Sequence, residues 1–149
     1  MKNKLLKLVS LVVAMVSVMS LFSINISAAE KSVATSSICS IPRMNNGADV
    51  FNSFYISPEG IAEVACEVIG NDNLTTGIII EIQLQRKGLL WWSDVDGGYW
   101  FNSFDGVYGS MSGGIELEKT GKYRAIFTVT VSGTGGADDV IEETLTYEY

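Results

Sequence analysis

The stretch Gly121–Val131, with the sequence GKYRAIFTVTV, decides the fold of this chain. Every second residue from Tyr123 to Val131 is apolar, and the residues between them are polar except for Ile126. A period of two residues is typical of a β-strand that has one face against a core and the other toward water. The stretch therefore predicts a half-buried strand.

Tyr123 stands near the start of this strand, just after a turn formed by Glu118-Lys119-Thr120 and Gly121. This placement resembles the tyrosine corner that opens strand F of immunoglobulin-like sandwiches. Ala125 occupies the position of the second cysteine of antibody domains, and no tryptophan follows Cys66 at the spacing of their buried strand-C tryptophan. The resemblance is thus to the architecture, not to antibody domains.

The same alternation recurs along the chain, with turn signals about every 8–12 residues and no helical period after residue 29. Ala62–Ile69 and Ile78–Arg86 predict a hairpin with a long loop, and Gly97-Gly98 predicts a turn between two short strands. The predicted strands are 38–41, 50–56, 62–69, 78–86, 91–95, 99–104, 121–131 and 140–149. We predict an all-β fold, a single antiparallel, immunoglobulin-like β-sandwich of seven to nine strands.

The first 29 residues have the pattern of a secretory signal peptide. Lys2, Lys4 and Lys7 precede a largely apolar run that reaches Ile24, and Ser27-Ala28-Ala29 supplies small residues before the expected cleavage site. The alternative is a membrane anchor, since the apolar run approaches spanning length. We predict a signal peptide at 1–29, a flexible segment at 30–37, a sandwich domain at 38–149 and secretion from the cell.

The charge that remains after residue 29 is strongly acidic. Without the three lysines of the signal, seven basic residues stand against 17 acidic ones, a net charge of −10. Such a surface repels phosphate backbones and anionic lipid headgroups. The composition predicts no nucleic-acid partner and no membrane contact once the signal is removed.

The chain has two cysteines, Cys39 and Cys66, both after the signal. An even cysteine count in an exported protein is typical of disulfide bonding. We predict a Cys39–Cys66 bridge, which would stabilise the fold by about 3 kcal/mol in the chain-entropy model. The alternative is two buried thiols.

The chain has no histidine, which removes the usual Ser-His-Asp and Cys-His pairs and histidine-ligated zinc. Asp94, Asp96 and Asp105 lie among aromatic residues, as in sugar-cleaving sites, but aspartate near glycine is also ordinary turn chemistry. Asp94 and Asp96 also offer hard oxygen ligands for calcium. We interpret the aspartates as turn residues, and predict no catalysis, no metal and no cofactor.

Half of the aromatic residues after position 29 fall between Leu89 and Gly109. Adjacent aromatics on a strand point to opposite faces, so one of each pair can enter the core while the other faces solvent or a partner. Exposed rings on a rigid sheet suit sugar faces or anchor a protein partner, whereas covering loops would make the group a second core. The predicted ligand-binding residues are Trp91, Trp92, Tyr99, Trp100 and Tyr108.

Two functions follow from these patterns. The first is a secreted, non-catalytic module that binds glycan or an extracellular protein through its aromatic residues. The second is a structural protein in which an edge strand, such as Val140–Tyr149, pairs with another copy. The sequence leaves the oligomeric state open.

Three segments carry a likeness to a protein family. Gly60-Ile61-Ala62 precedes a predicted strand, Ile82-Gln83-Leu84-Gln85-Arg86 is followed by Trp91 and Trp92, and Gly121-Lys122-Tyr123-Arg124 opens the later strand. From Ile38 to Tyr149 the chain resembles small secreted proteins of Gram-positive, spore-forming bacteria whose function is unknown. The resemblance implies secretion and a β fold, and it brings no activity.

Overall fold

A computed structural model describes residues 35–39 and 44–149. The secondary structure in these ranges consists of eight antiparallel strands. They are β1 Thr35–Cys39, β2 Ala48–Ile56, β3 Ile61–Gly70, β4 Thr75–Lys87, β5 Trp92–Asp105, β6 Tyr108–Glu116, β7 Lys122–Gly133 and β8 Asp139–Glu148.

The strands form two sheets of four. Sheet A has the order β1-β2-β3-β6 and sheet B has the order β5-β4-β7-β8. The apolar residues of each alternating strand face the other sheet, and the resulting core includes Val64, Ile82 and Phe127. The predicted all-β sandwich is confirmed, with a strand count inside the predicted range.

β7 is the strand predicted from Gly121–Val131, and it lies in the middle of sheet B between β4 and β8. Tyr123 is 2% exposed, and its hydroxyl donates a hydrogen bond to the carbonyl oxygen of Lys119 in the preceding turn. This bond back to the upstream backbone is the mark of a tyrosine corner, so the predicted corner is confirmed.

The predicted hairpin of β3 and β4 is wrong. β3 pairs with β2 and β6 in sheet A, whereas β4 pairs with β5 and β7 in sheet B. The Asn71–Leu74 loop therefore crosses from one sheet to the other. Both strands alternate in the same way whether they pair with each other or face each other across the core, so the pattern alone did not separate the two cases.

The predicted turn at Gly97-Gly98 is a bulge within one long strand. In β5, Tyr99 is opposite Gln83 and Asp94 is opposite Gln85, so four residues of β5 correspond to Leu84 alone. Gly97 has a φ of 72°, in the left-handed region that favours glycine. The bulge interrupts regular pairing on an edge strand, where bulges discourage contact with other chains.

The predicted disulfide is contradicted, because Cys66 is a buried free thiol. Cys39 is opposite Val50 on β2, and Cys66 is opposite Asn52 on the other side of β2. Two strand spacings and two residue steps place the Cα atoms of the two cysteines about 12 Å apart. A disulfide bond needs less than about 7 Å.

Cys66 makes the stability sensitive to alkaline pH. Burial, and then the nearby Glu143 carboxylate, raise its pKa from 9.0 to about 12. The folded state therefore holds the thiol proton more tightly than the unfolded chain, and this contribution is complete below pH 9 and lost as the pH rises toward 12. At about pH 10.5 we expect a loss of about 2 kcal/mol that Cys66→Ala does not show. Urea unfolding of both proteins from neutral to alkaline pH measures it, and parallel stability curves would contradict the assignment.

The loops at one end of the sandwich meet at Asn46, which is fully buried. Its amide nitrogen donates to the carbonyl oxygens of Val131 (3.1 Å) and Ala137 (3.0 Å), and its amide oxygen accepts from the backbone N–H of Gly135 (3.0 Å). The Asp139 carboxylate accepts the backbone N–H groups of Asn45 and Asn46. The Asn46 side chain thus joins the turn before β2 to the end of β7 and the β7–β8 connection.

The predicted signal peptide at 1–29 lies outside the described residues. β1 begins at Thr35, within the segment 30–37 for which flexibility is predicted. In the described part of the chain no helix has the length and apolar character needed to span a membrane.

Candidate ligand-binding surface

The outward side of sheet B carries a row of aromatic residues. Because inward residues alternate with outward ones, Tyr99 and Phe101 on β5 face away from the core, next to Gln83 and Glu81 on β4. Trp92, at the other end of β5, pairs with Lys87. We call this surface the aromatic face and define it by Trp92, Tyr99, Phe101, Ile79 and Ile126.

Tyr99 and Phe101 are the accessible part of the aromatic face. Their side chains are 54% and 55% exposed, although both belong to a regular, hydrogen-bonded strand. The Tyr99 hydroxyl donates to Oε1 of Glu81 at 3.0 Å, and this hydrogen bond raises the pKa of Tyr99. The bond fixes the ring and leaves Phe101 beside it as an uncovered apolar plate.

Trp92 is half-buried between cationic side chains. The ammonium nitrogen of Lys87 lies 5.2 Å from the centre of its ring, and the guanidinium carbon of Arg124 lies 4.6 Å from it. Arg124 belongs to β7, so the indole extends across β4. Both contacts have the separation of cation–π interactions.

A chain of hydrogen bonds holds Arg124 over Trp92. Arg124 donates from Nε to Oε1 of Gln85 (2.8 Å), and Gln85 donates from Nε2 to Oδ1 of Asp94 (2.7 Å). The three side chains sit in one row across β7, β4 and β5. The row gives this end of the aromatic face a defined polar pattern.

The five predicted ligand-binding residues do not form one surface. Trp92 and Tyr99 lie on the aromatic face, and Trp91 lies beyond it at the tip of the β4–β5 hairpin, 68% exposed. Trp100 turns inward and packs against the core. Tyr108 is exposed but belongs to sheet A, where it is opposite Ile69.

Phe101 lies on the aromatic face but was not among the five predicted residues. It shares the outward side with Tyr99 because the two are separated by one residue on the same strand. The two-residue period of a strand could have identified Phe101, because a strand that exposes Tyr99 exposes Phe101 on the same side. The expected division of Trp100 and Phe101 between core and surface is what the structure shows.

The candidate carboxylates are distributed along β5. Asp94 is opposite Gln85 and Asp105 is opposite Gly77, so eight residues of β4, about 27 Å, separate them. Paired carboxylates of sugar-cleaving sites are about 5–9.5 Å apart. Asp94 is engaged with Gln85, and the described residues contain no group of three Cys, Asp or Glu side chains arranged to hold a metal ion.

A cleft of about 600 Å³ opens beside the β5 bulge, at the end of the sandwich where Tyr123 lies. Asp94, Asp96 and Glu116 are on its walls together with Arg86 and Lys119. Arg86 donates from Nη2 to the carbonyl oxygen of Thr120 at 2.9 Å. With Glu118 also on its walls, the cleft has four carboxylates and two cations, so its lining is net negative and disfavours an anion.

No family model and no curated protein sequence matches the chain. Among solved structures, it is similar to part of a β-glucosidase from Listeria innocua in complex with isofagomine, with 12% identity, 75% of this chain covered and a TM-score of 0.35. The chain spans 16% of that enzyme's length. It is also similar to the GAE domain of GGA2p from Saccharomyces cerevisiae, with 11% identity, 77% of this chain and 97% of that domain covered, and a TM-score of 0.34. The resemblance to small secreted bacterial proteins stays a prediction.

Proposed function

We propose that this protein is an exported, non-catalytic module that binds carbohydrate through the aromatic face. The observation that carries the proposal is the pair Tyr99 and Phe101, adjacent on one side of a rigid strand and each more than half exposed. Solvent-facing positions of a strand do not need large apolar rings for folding, so a bound partner accounts for them better than the core does.

The chemistry beside the rings suits sugars. A sugar ring has an apolar face of C–H groups and a rim of hydroxyls, so it fits an aromatic plate with hydrogen-bonding groups at its edge. Gln83 is opposite Tyr99 and Glu81 is opposite Phe101, which places an amide and a carboxylate next to the two rings. Trp92 continues the row about 13 Å beyond Tyr99, so the face suits a chain of several sugar units.

The residues favour binding over catalysis. With no histidine in the chain, the commonest general base is missing. Asp94 and Asp105 are too far apart to act on one glycosidic bond. Both points support a binding role for the aromatic face.

Alanine substitutions on the aromatic face test the proposal. We expect Tyr99→Ala and Phe101→Ala each to weaken binding to the best polysaccharide of a cell-wall and plant panel by about tenfold, because each removes a stacking surface. Affinity electrophoresis or calorimetry measures the change. Tyr108→Ala is the matched control, since Tyr108 is 53% exposed but lies on sheet A. Equal binding by all three variants, or no binding by the unmodified protein, would refute the proposal.

Self-assembly through an edge strand is the second candidate function. β8 is the predicted edge strand, and it pairs only with β7 among the described strands. It also carries Asp139, Glu142, Glu143 and Glu148, and carboxylates on an edge oppose pairing with an identical strand. Sizing over a range of concentrations separates the candidates, because assembly requires a species larger than one chain.

A further inference from the structure

The hairpin between β4 and β5 ends in large apolar side chains that nothing in the described structure covers. Leu89 is 96% exposed, Leu90 is 71% exposed and Trp91 is 68% exposed. The backbone N–H of Gly88 donates to the carbonyl oxygen of Trp91 at 2.8 Å, so the two leucines form the tip of a tight, closed turn. We call Gly88–Trp91 the apolar tip.

These residues contradict the usual chemistry of a tight hairpin turn. Such positions favour Asn, Asp and Gly, whose conformations and hydrogen bonds suit the turn. Two leucines give up that advantage and gain no contact with the core in return. A local rule broken without structural benefit marks a functional site.

The side chains behind the apolar tip are cationic and aromatic. Lys87 and Trp92 flank it directly on the two strands, and Lys122 directly precedes Tyr123, the β7 residue opposite Arg86. The order from the tip inward is therefore aliphatic, then tryptophan, then lysine. The same order of preferences runs from the hydrocarbon of a bilayer through its interface to the headgroup phosphates.

The end of the sandwich that carries the apolar tip is the part whose charge is least repelled by a lipid surface. All five basic residues of 44–149 lie there, on the end of β4, in the β6–β7 connection and at the start of β7. Six carboxylates share this end, which is thus close to neutral, whereas the rest of 44–149 has ten carboxylates and no cation. The net charge after residue 29 predicted no membrane contact, because a net charge does not show that the basic residues lie at one end and most carboxylates elsewhere.

We propose that the apolar tip inserts into the surface of a lipid bilayer, with Leu89, Leu90 and Trp91 in the acyl region and the nearby lysines at the headgroups. A convex tip of three residues fits a deformable lipid interface, whereas a protein partner would have to supply a groove around it. Insertion there points the acidic bulk of the sandwich away from the lipid. The aromatic face stays accessible, so this role is independent of carbohydrate binding.

Fluorescence of Trp91 tests the insertion. The full chain is mixed with phosphatidylcholine–phosphatidylglycerol vesicles whose acyl chains carry bromine, which quenches an indole on contact. Because residues 8–24 are apolar enough in sequence to bind lipid on their own, the readout must be local, and subtraction of the Trp91→Phe variant isolates Trp91. We expect blue-shifted, quenched emission from Trp91. The double variant Leu89→Ser and Leu90→Ser is expected to lower insertion of the tip about a hundred-fold, which removes the quenching.

A pair of variants with the same change in net charge tests the contribution of the lysines to insertion. Lys122→Gln should weaken insertion by about fivefold at low salt, whereas Asn73→Asp makes the same change in net charge at the opposite end and should have no effect. Unquenched Trp91, or equal quenching in the double serine variant, would overturn the proposal. A dimer of the unmodified protein that the serine variant loses, with Trp91 unquenched, would assign the tip to a second copy and overturn it as well.

Discussion

Replacing Asn46 with alanine is expected to lower the free energy of unfolding by about 4 kcal/mol. The change removes two hydrogen bonds that the amide donates to Val131 and Ala137 and one that it accepts from Gly135. The buried carbonyl oxygen of Val131 and the part-buried N–H of Gly135 lose the partner that Asn46 provides, whereas the carbonyl oxygen of Ala137 keeps the amide of Asn45. Each buried group left unsatisfied costs about 1–3 kcal/mol. Urea unfolding followed by tryptophan fluorescence gives the difference from the shift of the midpoint.

The control for this prediction is Asn73→Ala. Asn73 is an exposed residue of the β3–β4 loop at the same end of the sandwich, so its replacement should change stability by no more than about 0.5 kcal/mol. If Asn46→Ala were as mild as Asn73→Ala, the loops would be held together by other contacts. A similar loss in both variants would point to a general fragility of this end.

The second large effect is expected at Gly113, where a methyl group has no room. A Cβ atom at this position would lie 2.4 Å from the indole of Trp100. Because Trp100 packs against the core, Gly113→Ala must push a large rigid ring out of its place. Overpacking of this kind costs about 1–3 kcal/mol, and we expect about 3 kcal/mol here because the neighbour is tryptophan. Urea unfolding measures the loss, and red-shifted emission would report the displaced indole.

The neighbouring glycine supplies the control. A Cβ atom at Gly114 would meet only the carbonyl oxygen of Ala62, at the ordinary contact distance of 3.7 Å. Gly114→Ala should therefore leave the stability unchanged or raise it by a few tenths of a kcal/mol through the unfolded state. Equal stability of the two variants would mean that Trp100 is not seated against β6.

The sequence predicted the strands better than their partners. Alternation located the inward residues of β7, and the turn before Tyr123 located the tyrosine corner, because both are local patterns. The assignment of β3 and β4 to opposite sheets depends on contacts distant in sequence, which no local pattern records. The Cys39–Cys66 prediction failed for the same reason, since counting cysteines does not reveal that β2 lies between them.

The candidate surface was predictable in part. The aromatic composition between Leu89 and Gly109 indicated where the surface lies. The two-residue period indicated that Trp100 and Phe101 point to opposite sides of the sheet. The bulge at Val95–Gly98 shifts the register of β5. Trp92 and Tyr99 therefore reach the same side of sheet B although a regular strand would place them on opposite sides. The apolar tip was not predicted, because it is recognised by the solvent exposure of its side chains, and composition does not show exposure.

The strand order sets the timing of folding. β3 pairs with β6 through residues as far apart as Ile61 and Glu116, fifty-five positions along the chain. β4 likewise pairs with β7, which follows it only after two further strands. Loop closure of this kind is slow compared with local pairing, and folds rich in such contacts form in milliseconds to seconds. Because sheet B cannot form before Lys122 and the residues after it have been synthesised, the core between the two sheets closes only late in synthesis, and the proposed export would act on a chain that is still unfolded.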